Sequence, residues 1–338
     1  MSSSLNETNL NAYLQENLAG FTLPVEYKKF SGGQSNPTFL VRTQSQQFVL
    51  RRKPAGNLLP SAHAVDREFT VIKALSQSQV PVPEALLLCD DESIIGSMFY
   101  LMSYVDGQIF WDPALPEFTA AQRPEVYQKI IQVLANIHNL DLKAAGLTEF
   151  GKAGNYFQRQ LERWIKQYRA SETEPQPVIE QLMTWLENNL PEDDGQVSLI
   201  HGDYRLDNLI FAKEGIAIKA VLDWELATLG HPLADLAYFC MCLRLPSIGP
   251  YKGLANVDRA ALGIPTEEQL KQLYCAARHI TEIQHWQFYL AFSFFRLTAI
   301  VQGVLKRALQ GNASNKEALL VGKIAPKLAQ MALASLEE

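Results

Sequence analysis

The chain has 338 residues, 30 Lys and Arg against 36 Asp and Glu, and a formal net charge of −6. That length suits two domains or lobes and a large core, and 47% hydrophobic residues exclude a disordered chain. The acidic balance argues against nucleic acid as a partner, since such binders carry a basic excess; it says little about a small-molecule substrate.

Leu5, Leu10, Leu14 and Leu18 fall near helical spacing and predict a short leading helix over 5–19. These opening residues lack a basic stretch followed by an apolar core, so no secretion signal is expected. Residues 24–53 predict three strands, broken at Ser31-Gly32-Gly33-Gln34-Ser35-Asn36 and at Thr43-Gln44-Ser45-Gln46. Their β-rich cores are Thr38–Val41 and Phe48–Leu50. A helical pattern follows over 62–78, with Val65, Phe69, Ile72 and Leu75 on one face, and Pro81 and Pro83 stop it. Leu86–Cys89 and Ser97–Ser103 predict two further strands. Residues 1–103 thus form a small lobe of five strands and one internal helix, and 104–108 a hinge. Residues 109–338 then read as a large, mainly helical lobe, with helices near 119–140, 151–170, 176–190, 233–245, 266–280, 283–309 and 315–335. Only 197–223 interrupts it, with β-like runs at Val197–Ile200, Leu209–Phe211 and Ile218–Leu222. The class is α+β, and ligands favour the crevice between two such lobes.

Residues 286–305 are mostly apolar over a span long enough to cross a membrane. Arg296 sits at the centre, at a cost of roughly 2.5–3.5 kcal/mol on insertion scales, and Gln287 and Gln302 add polar load. A buried core helix is expected, with Trp286, Phe288, Tyr289, Phe292, Phe294 and Phe295 as core rather than a ligand box, and no membrane partner. Cys89, Cys240, Cys242 and Cys275 include no CxxC pair. They read as buried, reduced thiols of a cytoplasmic protein. Oligomeric state is not legible.

The chemistry concentrates at residues 201–208, His-Gly-Asp-Tyr-Arg-Leu-Asp-Asn, followed by apolar Leu209-Ile210-Phe211; Asp223 comes fifteen residues after Asn208. Phosphoryl transfer from ATP needs a carboxylate to take the proton of the attacking hydroxyl. It also needs a second carboxylate and an amide oxygen to hold the magnesium that bridges the phosphates. A hairpin leaving Asn208 and returning to Asp223 would supply all three, with Asp203 facing substrate and Asp223 facing metal. His201 reads as structural, and a zinc site lacks a third nearby His or Cys.

This pattern, H-x-D-x-x-x-x-N with a later Asp, resembles the aminoglycoside phosphotransferase and choline kinase group of small-molecule kinases. That group shares the bilobal protein-kinase-like fold, and the match covers roughly 24–310. The resemblance implies Asp203 as catalytic base, Asn208 and Asp223 as magnesium ligands, and ATP as the phosphoryl donor. Gly202 stands where protein kinases have Arg, and Asp223-Trp224-Glu225 where they have D-F-G, which argues against a protein substrate. Arg205 could neutralise the transferring phosphoryl group or pair with Asp207 or Glu225. Phe48-Val49-Leu50-Arg51 resembles the strand bearing the phosphate-gripping cation, with Arg51 beside Val49 by alternation and Glu68 as its carboxylate partner. Ser31, Gly32, Gly33, Ser35 and Asn36 form a candidate phosphate loop whose N–H and hydroxyl donors suit phosphate oxygens. Met102, Ser103 and Tyr104 enter the hinge, where the resemblance places the adenine edge.

Asp235, in Gly230-His231-Pro232-Leu233-Ala234-Asp235 at a helix start, and His138, at a helix end, read as structural. Arg296 could pair with a carboxylate or meet an anionic substrate. Longer stretches, among them HGDYRLDNLIF and VLDWELATLGHPLADLAYF, look like the kinase-like domain attached to acyl-CoA dehydrogenase family members 10 and 11. That likeness implies a hydroxylated acyl-CoA as one possible acceptor, with Arg244, Lys252 and Arg259 as candidates for its phosphates by position. An aminoglycoside or amino-alcohol acceptor, and a nucleotide-binding module without catalysis, are the alternatives.

Overall fold

A computed structural model describes residues 5–30, 36–54, 64–247, 252–311 and 318–337. In chain order the elements are α1 (Glu7–Asn17), β1 (Glu26–Lys29), β2 (Thr38–Arg42), β3 (Gln47–Arg52), α2 (Val65–Leu75), β4 (Ala85–Cys89) and β5 (Phe99–Ser103). There follow α3 (Arg123–His138), α4 (Tyr156–Ser171), α5 (Pro177–Asn188), β6 (Ser198–Ile200), β7 (Leu209–Phe211), β8 (Ile218–Val221) and β9 (Thr228–Gly230). The chain ends with α6 (Leu233–Arg244), α7 (Arg259–Leu262), α8 (Glu267–Arg278), α9 (Trp286–Leu309), α10 (Ala318–Gly322) and α11 (Ala325–Ala334). They fall into two compact units.

The first unit takes in Met1–Ile109, Lys143–Leu147 and Asn208–Ala227. Its sheet is antiparallel in the order β1-β2-β3-β5-β4. Alternation divides β3: Phe48 and Leu50 join Val41, Phe99, Leu101 and, from α1, Leu10 and Leu14 in one apolar cluster. Each such side chain, fully withdrawn from water, contributes about 1.5–3 kcal/mol. Val49 and Arg51 point to the opposite face. The hairpin β7–β8 belongs to this unit and is tied to its chain at Gln108, whose N–H donates to Phe211 O at 2.9 Å while Phe211 N–H returns to Gln108 O at 2.8 Å. Gly107 permits this approach: a Cβ there would lie 2.3 Å from Phe211 O.

The second unit comprises Phe110–Leu142, Thr148–Asp207 and Thr228–Glu338. The α9 helix runs through it, packed against α4, α5, α6, α10 and α11. All six of its expected core aromatics, from Trp286 to Phe295, are buried. Among the described residues α9 is the one helix long and apolar enough to cross a membrane, and most of that stretch is buried inside the fold.

Several expectations are corrected. The stretch expected as one helix over 315–335 is two, α10 and α11, because Pro326 in the first turn of α11 has no N–H with which to continue a preceding turn. The β9 strand, pairing with β6, was not expected; three residues carry no periodicity. Cys242 and Cys275 are half-buried, whereas Cys89 and Cys240 are buried.

Candidate active site

Each unit carries one group of the candidate side chains. In the first, Arg51 on β3 gathers three carboxylates. Its Nη1 lies 3.0 Å from Glu68 Oε1, and its Nη2 lies 2.6 Å from Asp223 Oδ1 and 3.5 Å from Glu225 Oε2. Glu68, on α2, is 1% exposed. Burial, reinforced by Asp223 and Glu225, pushes its carboxyl up to about 7 despite the pull of Arg51. Burial works against the Arg51 charge, but Glu68 and Asp223 outweigh it and raise the guanidinium pKa further. Three acids around one fixed cation leave an excess of negative charge, which a divalent cation would neutralise.

Asn208 and Asp223 flank the hairpin at neighbouring ends. Leu209 pairs with Val221 across it, and Leu222 N–H donates to Asn208 O at 2.8 Å. Asp223 adopts left-handed backbone angles, φ +66° and ψ +57°, a turn that Asp tolerates better than most residues. Trp224 anchors it by burial and by donating from Nε1 to Val221 O at 3.0 Å. A carboxylate and an amide oxygen are hard donors of the kind magnesium takes, alongside phosphate oxygens. The donor set therefore fits that ion.

Of the candidate phosphate loop, Asn36 is described and Ser31, Gly32, Gly33 and Ser35 lie outside the described residues. Asn36 is buried; its Nδ2 donates to Glu225 Oε2 at 3.1 Å, while its Oδ1 has no hydrogen-bond partner among the described residues. Met102 is buried in β5, paired with Val49 and Ala85. Ser103 N–H donates to Glu84 O at 2.9 Å and Tyr104 N–H to Gln47 O at 3.3 Å. Both donors are spent within the sheet, so an adenine edge would have to meet other backbone groups of the hinge.

In the second unit one Asp203 oxygen takes a hydrogen bond from Tyr238 and an ion-pair contact from Arg205. The Tyr238 hydroxyl donates to Oδ1 at 2.7 Å, and Arg205 Nε lies 3.2 Å from the same atom. Arg205 also reaches Asp207, Nη2 to Oδ2 at 2.9 Å. These two acids hold its pKa up against the opposing effect of burial. Its partners are thus Asp203 and Asp207. The loop backbone is clamped from α6: Asp235 accepts from His201 N–H at 2.6 Å and from Gly202 N–H at 2.8 Å. Burial would raise the Asp235 carboxyl, but the bonds from His138 and the backbone hold it low. Burial in turn keeps the His138 imidazole neutral, between Tyr274 Oη at 2.7 Å and Asp235 Oδ2 at 3.3 Å. His201 Nδ1 accepts from Asp203 N–H at 3.2 Å, the structural role expected of it. Arg296 is taken up by a carbonyl and by rings: Nη2 donates to Gly202 O at 2.7 Å, and its guanidinium lies over the rings of Trp164 and Tyr238.

An open pocket beside this loop is lined by Trp111, Arg205, Asp207, Tyr238, Cys242 and Lys252, among others. Of the three cations expected at acyl-CoA phosphates, Lys252 lines it. Arg244 is instead bound through two nitrogens to Glu267, at 2.7 and 2.9 Å, and Arg259 donates to Leu243 O at 3.2 Å. Sequence reasoning offered Glu225 only as a partner for Arg205, whereas it sits with Arg51 and Asn36, and it missed Tyr238. The spacing Asp223-Trp224-Glu225 around a buried indole was a usable signal for the first; nothing local marked the second.

The family model described as "Phosphotransferase enzyme family" matches residues 26–273. The chain belongs to that family. Among curated relatives, acyl-CoA dehydrogenase family member 10 of Mus musculus is 50% identical over 312 residues, which is 92% of this chain and 29% of that protein. Acyl-CoA dehydrogenase family member 11 of Pongo abelii is 42% identical over 330 residues, 96% of this chain and 42% of that one. The chain therefore spans less than half of these relatives. A solved structure from Ralstonia eutropha, described as a candidate aminoglycoside phosphotransferase, is 43% identical with TM-score 0.90, covering 99% of both chains. Aminoglycoside phosphotransferase APH(4)-Ia in complex with AMP-PNP and hygromycin B is 16% identical with TM-score 0.63, covering 97% of this chain and 98% of that one. That likeness is one of fold, and the fold shared with these family structures is the protein-kinase-like one.

Proposed function

We propose that the chain is an ATP- and magnesium-dependent phosphotransferase acting on a hydroxyl of a small molecule, with a hydroxylated acyl-CoA as the first acceptor to test. The observation that carries this reading is the Arg51–Glu68 pair bound to Asp223, a phosphate-gripping cation and a metal ligand in one cluster. Asp203 takes the proton of the acceptor hydroxyl as its oxygen bonds to the γ-phosphorus; the bond from that phosphorus to the bridging oxygen breaks, and ADP leaves with the electron pair. Arg205 offsets the charge of the transferring group. Asn208 and Asp223 would hold magnesium, which supplies charge neutralisation across the phosphates. Asn36, whose Oδ1 has no partner among the described residues, donates to Glu225 and could offer that oxygen to the bound nucleotide–metal complex.

The acyl-CoA acceptor is supported by the names of the curated relatives and by the pocket. Arg205 is paired with Asp203 and Asp207, which leaves Lys252 as the pocket cation that could meet an anionic acceptor, and Trp111 is 67% exposed there, available to a flat ring. The test is a phosphate-transfer screen with ATP over hydroxyacyl-CoAs, aminoglycosides, choline and amino alcohols. Phosphorylated hydroxyacyl-CoA is the expected product. Transfer to aminoglycosides alone would refute the acceptor, and nucleotide binding without transfer to any hydroxyl would leave a binding module.

A further inference from the structure

The Tyr238 side chain has a place in the site that neither the motif nor the family assignment gives it. It lies one turn after Asp235 on α6, so both side chains leave the same face of that helix. Asp235 grips the backbone of the loop through His201 and Gly202 N–H. Tyr238 grips its side chain, donating to Asp203 Oδ1 at 2.7 Å. The α9 helix closes the arrangement: Arg296 bonds Gly202 O at 2.7 Å and lies 5.2 Å over the Tyr238 ring. Tyr238 is 7% exposed and also lines the pocket beside the loop.

We infer that Tyr238 is a positioning residue for phosphoryl transfer: its hydroxyl fixes Asp203 by Oδ1, so that the carboxylate presents one orientation to the acceptor hydroxyl. The inference rests on the phosphotransferase reading and adds to it a residue outside the H-x-D-x-x-x-x-N loop. Burial and the neighbouring Asp203 hold the Tyr238 phenol far above its ordinary pKa, so it remains a proton donor to the carboxylate at any working pH. Without Tyr238 the carboxylate keeps its contact with Arg205 but loses the hydroxyl donor at Oδ1, and a misplacement of about 1 Å weakens proton transfer in the transition state while leaving nucleotide affinity alone.

The test compares wild type, Tyr238→Phe, Asp203→Asn and the double variant, using MgATP with the best acceptor from the screen and with water as acceptor. Phe keeps the ring beneath Arg296, and an unchanged melting temperature confirms that the variant folds. Tyr238→Phe should lower kcat about tenfold, the scale of one lost hydrogen bond to a charged group, with KM for MgATP within about twofold. In the Asp203→Asn background the same change should have no further effect, because Tyr238 acts through that carboxylate. An unchanged kcat in Tyr238→Phe, or the same loss in both backgrounds, would overturn the role while leaving the phosphotransferase intact. A wild-type chain that turns over no MgATP with any acceptor would overturn the phosphotransferase reading, and this role with it.

Discussion

Replacing Glu68 with Gln should remove a defined pH dependence from the stability of the protein. The carboxyl is 1% exposed, held against Arg51 Nη1 at 3.0 Å, and pushed up to about 7 from an ordinary 4.5. The folded chain therefore keeps a proton on Glu68 over a range where the unfolded chain has released it. The stability this proton confers is complete below 4.5 and is lost as pH rises through 7. The gap between 4.5 and about 7, at about 1.4 kcal/mol per unit, sets the loss at about 3 kcal/mol. Gln mimics the protonated acid and keeps an oxygen for Arg51. The variant should lie within about 1 kcal/mol of wild type at pH 5 and exceed it by up to about 3 kcal/mol at pH 8. Urea unfolding followed by circular dichroism at pH 5, 6, 7 and 8, with EDTA and no nucleotide, measures the difference. A difference that stays constant over the four pH values would refute the burial argument for this cluster.

Other consequences follow from the same geometry. Asp235→Ala leaves two buried backbone N–H groups and His138 without their acceptor, and should cost about 3 kcal/mol or more in urea unfolding, at about 1–3 kcal/mol per orphaned group; a loss below about 1 kcal/mol would count against the clamp. Gly107→Ala places a Cβ 2.3 Å from Phe211 O and should destabilise by more than about 2 kcal/mol, seen as a lowered melting temperature. Arg51→Met should raise KM for MgATP at least about tenfold, and an unchanged KM would remove Arg51 from phosphate binding.

Much of this was legible in the sequence because the signals were local. The alternation Phe48-Val49-Leu50-Arg51 put Arg51 on the face opposite the core, and there it finds Glu68. The hairpin from Asn208 to Asp223 followed from two short apolar runs around a polar turn. What escaped depends on tertiary contact. Tyr238 looks like any aromatic of a buried helix until α6 is seen to pack on the loop, and Arg296 looked free to meet a carboxylate until the Gly202 carbonyl took it. Arg244 is spent on Glu267, a pairing across 23 residues that no periodicity reveals.

The central claim is that Asp203 takes a proton during phosphoryl transfer. Phosphorus NMR of MgATP with the wild-type chain and an accepting hydroxyl should show transfer of the γ-phosphoryl group. Asp203→Asn should slow that transfer by about a hundredfold or more while binding MgATP with unchanged Kd. An Asp203→Asn variant that transfers phosphate at the wild-type rate would contradict the account.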